Sequence, residues 1–499
     1  MGYVKIECSR VFTSMASIKR NFLYNLLLQV SKVLFPLITA PYIARTLEPE
    51  GVGIVNFVNT YSSYFALFAV LGIPIYGIRE IAKIRDDIRA SETFVSQMIS
   101  LEFVTTLFVS CIYIISVCFI GQLNKHALLF LVAGISLYIT PFKIEWFFSG
   151  REEFGYITFR SLMIKTLSVI LLFFVVKDKD DLINYVLLNL FATIANEFWN
   201  YVKLYKLGIK PRFTLSGCKI HLKPVLTLFA SSIAISIYVM LDTLMLGFRS
   251  SYQEVGYYNC AMQLVRTLLP VTTALATVAI PKVAIYHKSE NVQMINELMT
   301  KSLGIVSFLA FPITIGIIMV APVFVPLFFG NSFYGSVLPM QIGSIIIVAI
   351  GLNNLNGVQI LTGMAKDKLF LISVTTGAVV NFCLNWFLIP LYGASGAAFA
   401  SISSEILILF INEYFVRCYT QVRILYWDDL FKSFAGAMLF IPICLFCGKL
   451  MSGWFYVFAC IIACVGEYIL FQSLTKNETF RVIYTNVFNR IGAKNEKSY

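Results

Sequence analysis

The sequence predicts an all-α integral membrane protein of about fourteen transmembrane helices, on three observations. Of its 499 residues, 58% are hydrophobic and only 13% charged, against roughly 25% charged in soluble chains. The mean hydropathy is +0.78. The apolar runs far exceed the alternation over about 10 residues that marks a transmembrane β-strand. Helices then remain as the way to satisfy backbone groups in lipid.

Residues 1–20 read as a cytoplasmic leader carrying Lys5, Arg10, Lys19 and Arg20. The apolar run behind it reaches Ile43, too long for a signal-peptide core of roughly 7–15 residues, so no cleavable signal is expected. Met15 is an alternative start, and Ile6 stands where a myristoylation motif wants Ser or Thr. A span needs about 20 apolar residues. Such segments run over 21–44, 54–78, 94–119, 127–148, 157–176 and 182–205, forming an N-lobe over 21–205. A cytoplasmic linker, 206–223, leads to a C-lobe over 224–416 with segments 224–247, 256–280, 302–328, 336–361, 369–391 and 395–416. Two further segments, 430–448 and 453–474, occupy 430–474, and 475–499 is a cytoplasmic tail.

Orientation follows from lysine and arginine. With the N-terminus inside, one set of loops collects Arg79, Lys83, Arg85 and Arg89, then Lys203, Lys206, Lys210, Arg212, Lys219 and Lys223, then Lys282 and Lys288. The tail adds Lys476, Arg481, Arg490, Lys494 and Lys497, while the opposite loops hold few, such as Arg45, Lys125, Lys177 and Arg249. The positive-inside rule therefore sets both termini in the cytoplasm. Orientation and anionic headgroups account for the net charge of +12, with no nucleic-acid partner required.

The chain also repeats itself weakly. "ARTLEPEGVGIVNFV" (44–58) resembles "LGFRSSYQEVGYYNCAMQLV" (246–265), aligning Gly51 with Gly256. "FSGREEFGYITFR" (148–160) resembles "LTGMAKDKLFLIS" (361–373). Each copy starts after an even number of spans, so the fold is two parallel repeats of about six helices each plus two C-terminal helices. Repeated halves with a site between them are the logic of secondary transporters.

Two cations lie at membrane depth. Lys32 is about 16 Å into the first predicted span and Arg266 about 15 Å into the eighth, one per half. Charges there face a bundle interior or water and are functional by default. The competing reading is a structural ion pair with Glu197, Asp242 or Glu405. Left unneutralised, the cations point to an anionic substrate, since arginine forks phosphate oxygens and lysine acts as a point charge. Further candidate substrate-binding residues are Asn59, Tyr61 and Tyr64 on the second span and Asn354 and Asn385 on the tenth and eleventh. Amides suit sugar hydroxyls and aromatic faces suit pyranose rings, although asparagine commonly bonds helix to helix in bilayers. Breaks at Pro36, Pro41, Gly72, Pro74, Pro270, Pro312 and Gly316 are candidate hinges or ordinary packing kinks.

Short loops leave no room for an ATPase or soluble catalytic domain, and His126, His221 and His287 fall in three different loops. Eleven cysteines read as small apolar residues in packed helices. Cys444 and Cys447, with Cys460 and Cys464, lack the polar surroundings of a metal site. No cofactor or metal is expected.

"PLITAPYIARTLEPEGVGIVNF", "YFALFAVLGIPIYGIREIAKIRDD", "EVGYYNCAMQLVRTLLPV" and "GMAKDKLFLISVTTGAVVNFCLNWFLIPLYGASGAAFAS" resemble the Wzx-like polysaccharide biosynthesis flippases of the MATE-like superfamily. The resemblance runs from about Ile18 to Leu474. It implies a protein of the bacterial cytoplasmic (inner) membrane that moves undecaprenyl-pyrophosphate-linked oligosaccharide, for O-antigen or capsule, by alternating access. It also implies membrane lipids, a polysaccharide polymerase and a chain-length regulator as partners. Lys32 and Arg266 fall on spans that carry basic cavity residues in the related lipid II flippases. The chain departs at "TLEPEG", where relatives often have Leu-Gly before the Glu-Gly. Glu197, Asp242, Glu405 and Glu413 are candidates for a H+- or Na+-coupled step. Two other functions compete. A cation-coupled MATE-type exporter of small molecules would want carboxylates in its binding lobe, and the first two spans hold none between Asn21 and Gly77 other than Glu48 and Glu50 of their connecting loop. A polysaccharide polymerase would carry a large outer loop, and the outer loops here are short.

Overall fold

The computed structural model describes the backbone of residues 2–423, 427–482, 484 and 485, with side chains described outside 2–19, 22, 231, 232 and 234–239. The alternative start at Met15 and most of the leader side chains, and the basic residues Arg490, Lys494 and Lys497 of the tail, lie outside the described side chains or residues. Every regular element among the described residues is helical. The chain forms two compact units, Met1–Leu244 and Met245–Tyr499.

Ten helical stretches among the described residues are long and apolar enough to cross a membrane, against about fourteen expected. Part of the difference lies in two double-length stretches. At 1.5 Å per residue, a straight helix over Leu23–Val70 or Asp367–Tyr419 would be about 70–80 Å long, more than twice the hydrocarbon thickness. Neither is straight. Helix α1, Gly2–Val70, breaks at Glu48 (φ 58°, ψ 173°). Its two halves run in opposite senses against their neighbours. Thr158 donates to the Tyr24 carbonyl, and Tyr42 to the Val176 carbonyl at 2.6 Å, so the first half runs parallel to α7, Phe154–Val175. Tyr61 bonds Ser116 at 2.8 Å, and Thr105 bonds the Ala69 carbonyl at 2.7 Å, so the second half runs antiparallel to α3, Ile88–Phe119. The other two expected spans are α8, Leu182–Lys206, and α9, Cys218–Arg249. Both are helical but not among the ten, and α8 carries Asn184, Asn189, Asn196, Glu197 and Asn200.

The first unit also holds α2, Ile73–Ile84, which follows α1 across a turn at Leu71 (φ 53°). Its fourth span is broken into α4, Gly121–Asn124, then α5, Ala127–Ile139, a 3-10 turn over Thr140–Phe142, and α6, Glu145–Gly150. A cluster of Tyr76, Phe94, Trp146, Phe147 and Phe148 forms the core around α2 and α6. Gly77 lies so close to the Trp146 ring that a Cβ there would overlap it.

The segment expected as a linker, 206–223, is anchored to the first unit. Its backbone is bound along α3: Arg212 N–H donates to Ser96 Oγ at 3.0 Å and Thr214 N–H to Ser100 Oγ at 2.8 Å. Gln97 donates to the Ser216 carbonyl at 3.0 Å. His221 lies in α9, not a loop, between the Tyr76 hydroxyl at 2.8 Å and Gln97 Oε1 at 2.9 Å. These bonds carry the first unit past the linker, and its edge falls inside α9.

In the second unit α10, Tyr252–Thr273, is capped by Ser251, whose side chain accepts from the Glu254 N–H at 3.3 Å. Then come α11, Ala276–Lys288, which contains His287, and α12, Val292–Phe329. Next are α13, Val337–Ser344, α14, Ile346–Asn353, and a π-helix over Asn354–Thr362. Helix α15, Asp367–Tyr419, is a hairpin that turns at Gly393 (φ 52°, ψ −129°). Lys366 reaches the Tyr419 carbonyl at its far end, and Ser373 donates to Asn412 at 2.6 Å. Only glycine takes that backbone without strain. The Glu254 carboxylate accepts the Ala394 N–H at 2.7 Å and fixes the turn to α10. The chain ends in α16, Asp428–Met438, α17, Phe440–Leu450, and α18, Gly453–Leu474. Cys444 and Cys464 face each other at 3.7 Å inside a buried cluster with Tyr456 and Cys460.

Candidate functional site

Helix α1 shows why Lys32 is tolerated. With 3.6 residues per turn, Asn21, Asn25, Gln29 and Lys32 share an arc of about 80°. Asn25, Gln29 and Lys32 are exposed within the first unit, and Gln29 bonds Asn25 at 3.4 Å. The exposed apolar residues Leu26, Leu27, Val30, Leu34 and Ile38 occupy the opposite side. One helix thus has an apolar exposed face suited to lipid and a polar one that lipid would reject. The third face packs on α7. Gly155 lies against the Tyr24 ring, and Lys165 Nζ donates to Ser31 Oγ at 3.1 Å and sits 5.7 Å from the Phe35 ring.

The remaining candidates of the first unit separate. Asn59 is half-buried. Tyr61 is buried and spent on helix packing: its hydroxyl bonds Ser116, and its ring meets Phe65, Tyr113 and Phe130. Tyr64 is half-buried within electrostatic reach of Asp242, which is 3% exposed. Glu197 accepts from Asn200 at 2.8 Å and belongs to a charged cluster at the broken fourth span. The Arg160 side chain, 3% exposed, bonds Glu145, Asn200 and, at 3.2 Å, Asn196. The charges of Lys143, in the break itself, and of buried Glu102 act on Glu197 and on each other.

In the second unit Arg266 is half-buried, fourteen residues into α10 and so about 21 Å from its first residue. Asn354 opens the π-helix and accepts from Gln359 at 3.4 Å. Such π segments frequently mark functional sites. Asn353 donates to the Glu405 carboxylate at 2.7 Å, and Asn356 to Glu413 at 3.1 Å. Glu405 is 7% exposed, whereas Glu413 also pairs with exposed Arg417 at 2.5 Å. Asn385 is fully buried and donates to Asn381 at 3.1 Å.

Lys165, Lys143, Arg160 and Glu102 are membrane-depth charges that sequence reasoning passed over. A signal was present for Lys165: Ser161, Lys165 and Ser168 recur at helical spacing in an apolar span. Outside the spans, burial holds His221 below its ordinary value, against the pull of the Glu80 carboxylate.

The chain matches the family described as polysaccharide biosynthesis protein over residues 18–287. It is 25% identical over 416 residues to a protein of Escherichia coli (strain K12) named as an O-antigen transporter, covering 81% of this chain and 98% of that one. Among solved structures it resembles the lipid II flippase MurJ, in an inward closed conformation, with a TM-score of 0.76 at 14% identity, covering 91% of this chain and 98% of that one. It also resembles an inward-facing multidrug resistance MATE family transporter of the MOP superfamily, with a TM-score of 0.58 at 12% identity, covering 79% and 98%. These two likenesses concern the fold.

Proposed function

Because the chain belongs to the polysaccharide biosynthesis protein family, we propose that it is a flippase for lipid-linked oligosaccharides. It is a multi-pass membrane transporter. Its cargo in this reading is an undecaprenyl-diphosphate-linked repeat unit of O-antigen or capsule, moved from the cytoplasmic to the outer face of the bacterial cytoplasmic membrane, with both termini inside. The supporting observation is the exposed stripe Asn25, Gln29, Lys32 on α1, at a depth where lipid would exclude it. Such a stripe suits hydroxyls and phosphate oxygens. An exporter of organic cations would need a carboxylate there, and the stripe carries an ammonium.

Lys32 and Arg266 act in this proposal on the diphosphate, while Glu197, Asp242, Glu405 and Glu413 are candidates for a proton- or sodium-coupled step. The test is surface polysaccharide in a transporter-null strain complemented with wild type, Lys32→Ala or Arg266→Ala at matched expression. Loss of polymer, with lipid-linked repeat units accumulating toward the cytoplasm, is the expected result. Full complementation by both variants would make these charges structural.

A further inference from the structure

Helices α1 and α7 run side by side in constant register. Three hydrogen bonds join them, Thr158 to the Tyr24 carbonyl, Lys165 to Ser31 Oγ and Tyr42 to the Val176 carbonyl, and each links residues 134 apart. This register sets Lys165, eleven residues and about 16 Å into α7, level with Lys32 on α1. The two ammoniums repel each other across the helix pair. Among the described residues neither has a carboxylate within ion-pair distance. Ser31, itself 3% exposed, and the Phe35 ring hold Lys165 in place, and the Glu145 carboxylate, already paired with Arg160, attracts it only from beyond ion-pair distance. One turn further along α7, Ser168 Oγ is buried without a hydrogen-bond partner. Elsewhere in this unit Arg160 has Glu145 and Lys203 has Glu153 as ion-pair partners. A pair of like charges kept together at membrane depth is unfavourable until an anion bridges it.

We propose that Lys165 and Lys32 form a two-ammonium site for a diphosphate, with Lys165 a substrate-contacting residue and Ser31 its positioning partner. This rests on the flippase reading for the source of the diphosphate. The chemistry alone fits either the lipid-linked group or free pyrophosphate. Two point charges at one level match a group with two adjacent phosphates and leave the glycan to the amides of the stripe.

The test uses the purified full chain in proteoliposomes with lipid-linked oligosaccharide. Inorganic pyrophosphate serves as the competing probe, and its direct binding is measured by calorimetry. Lys165→Gln and Lys32→Gln are each expected to lower the initial translocation rate about tenfold or more, the loss of one charge-assisted contact. The double variant is expected to lose much less than the product of the two, because both act on one anion. Lys165→Arg is expected to keep translocation, which separates charge from fold if the glutamine variant is poorly produced. Pyrophosphate binding is expected to weaken in Lys165→Gln. Wild-type rates and wild-type pyrophosphate binding in Lys165→Gln would overturn the two-ammonium site while leaving the flippase reading standing. Pyrophosphate binding that depends on Lys165, in a chain that moves no lipid-linked sugar, would overturn the flippase reading and leave the diphosphate site.

Discussion

Glu48 should be a poor residue for its own position. It sits at φ 58° and ψ 173° between the two halves of α1, a region that is essentially glycine's. Pro49 follows and suits a helix start, since its fixed φ is helical and its missing N–H would be unpaired there. Gly51 next allows close approach: a Cβ there would meet Leu182 at 3.0 Å. The Glu48 side chain is exposed, so replacing it removes little packing. Glu48→Gly relieves strain of about 1–3 kcal/mol. Against this stands the wider freedom of glycine in the unfolded chain, about 0.4–1 kcal/mol. The net gain is about 0.5–2 kcal/mol, or a rise of about 0.5–2 °C in the apparent unfolding midpoint of a chain this large. Thermal unfolding of detergent-purified protein, followed by tryptophan fluorescence, reads the shift. Glu48→Ala keeps the Cβ and should stay near wild type. If the glycine variant melts no higher than the alanine variant, the turn is not strained and the reasoning fails.

Two further predictions follow from buried polar groups. His221 is held below its ordinary value by burial, so the unfolded chain binds the proton more readily. Its contribution to stability should be complete above about pH 6.5 and fall away as the pH drops through the lower folded value. A melting-midpoint series from pH 8 to pH 5 should flatten in His221→Gln. Arg160→Met should cost about 1–3 kcal/mol, because Glu197 then loses its nearby cation while the half-exposed Glu145 is partly rescued by water. Size-exclusion profiles should show reduced monodisperse protein, with Arg160→Lys intermediate and Glu145→Gln milder.

Much of the architecture was legible because lipid imposes it. Apolar runs of spanning length become helices, and the turns near Glu48 and Gly393 fall between the segments that sequence reasoning separated. Lys32 was legible as a charge inside an apolar run. Its meaning was only half legible, since the polar stripe can be counted from the sequence but Lys165 becomes its partner only through the α1–α7 register. Tyr61 shows the converse. An aromatic hydroxyl in a polar run suggests sugar binding, and only the fold reveals that its hydroxyl meets Ser116 and its ring packs on Tyr113 and Phe130. The charged cluster at the broken fourth span was illegible because Glu102, Arg160 and Glu197 lie on three different helices and Lys143 in the break between two others, where spacing along the chain carries no information. The anchoring of the linker was illegible for a similar reason: the serines that hold it sit more than 100 residues earlier on α3.

That bound segment changes what its basic residues can do. A loose tether would spread Lys210, Arg212 and Lys219 into a diffuse positive cloud that adapts to whatever anionic surface lies near. Pinned at Arg212, Thr214 and Ser216, the same residues become a printed pattern, with spacings set by α3 rather than by the membrane. An anionic surface would then meet fixed charges rather than adaptable ones. Exchanging Ser96, Gln97 and Ser100 for alanine would remove all three pins without altering the net charge.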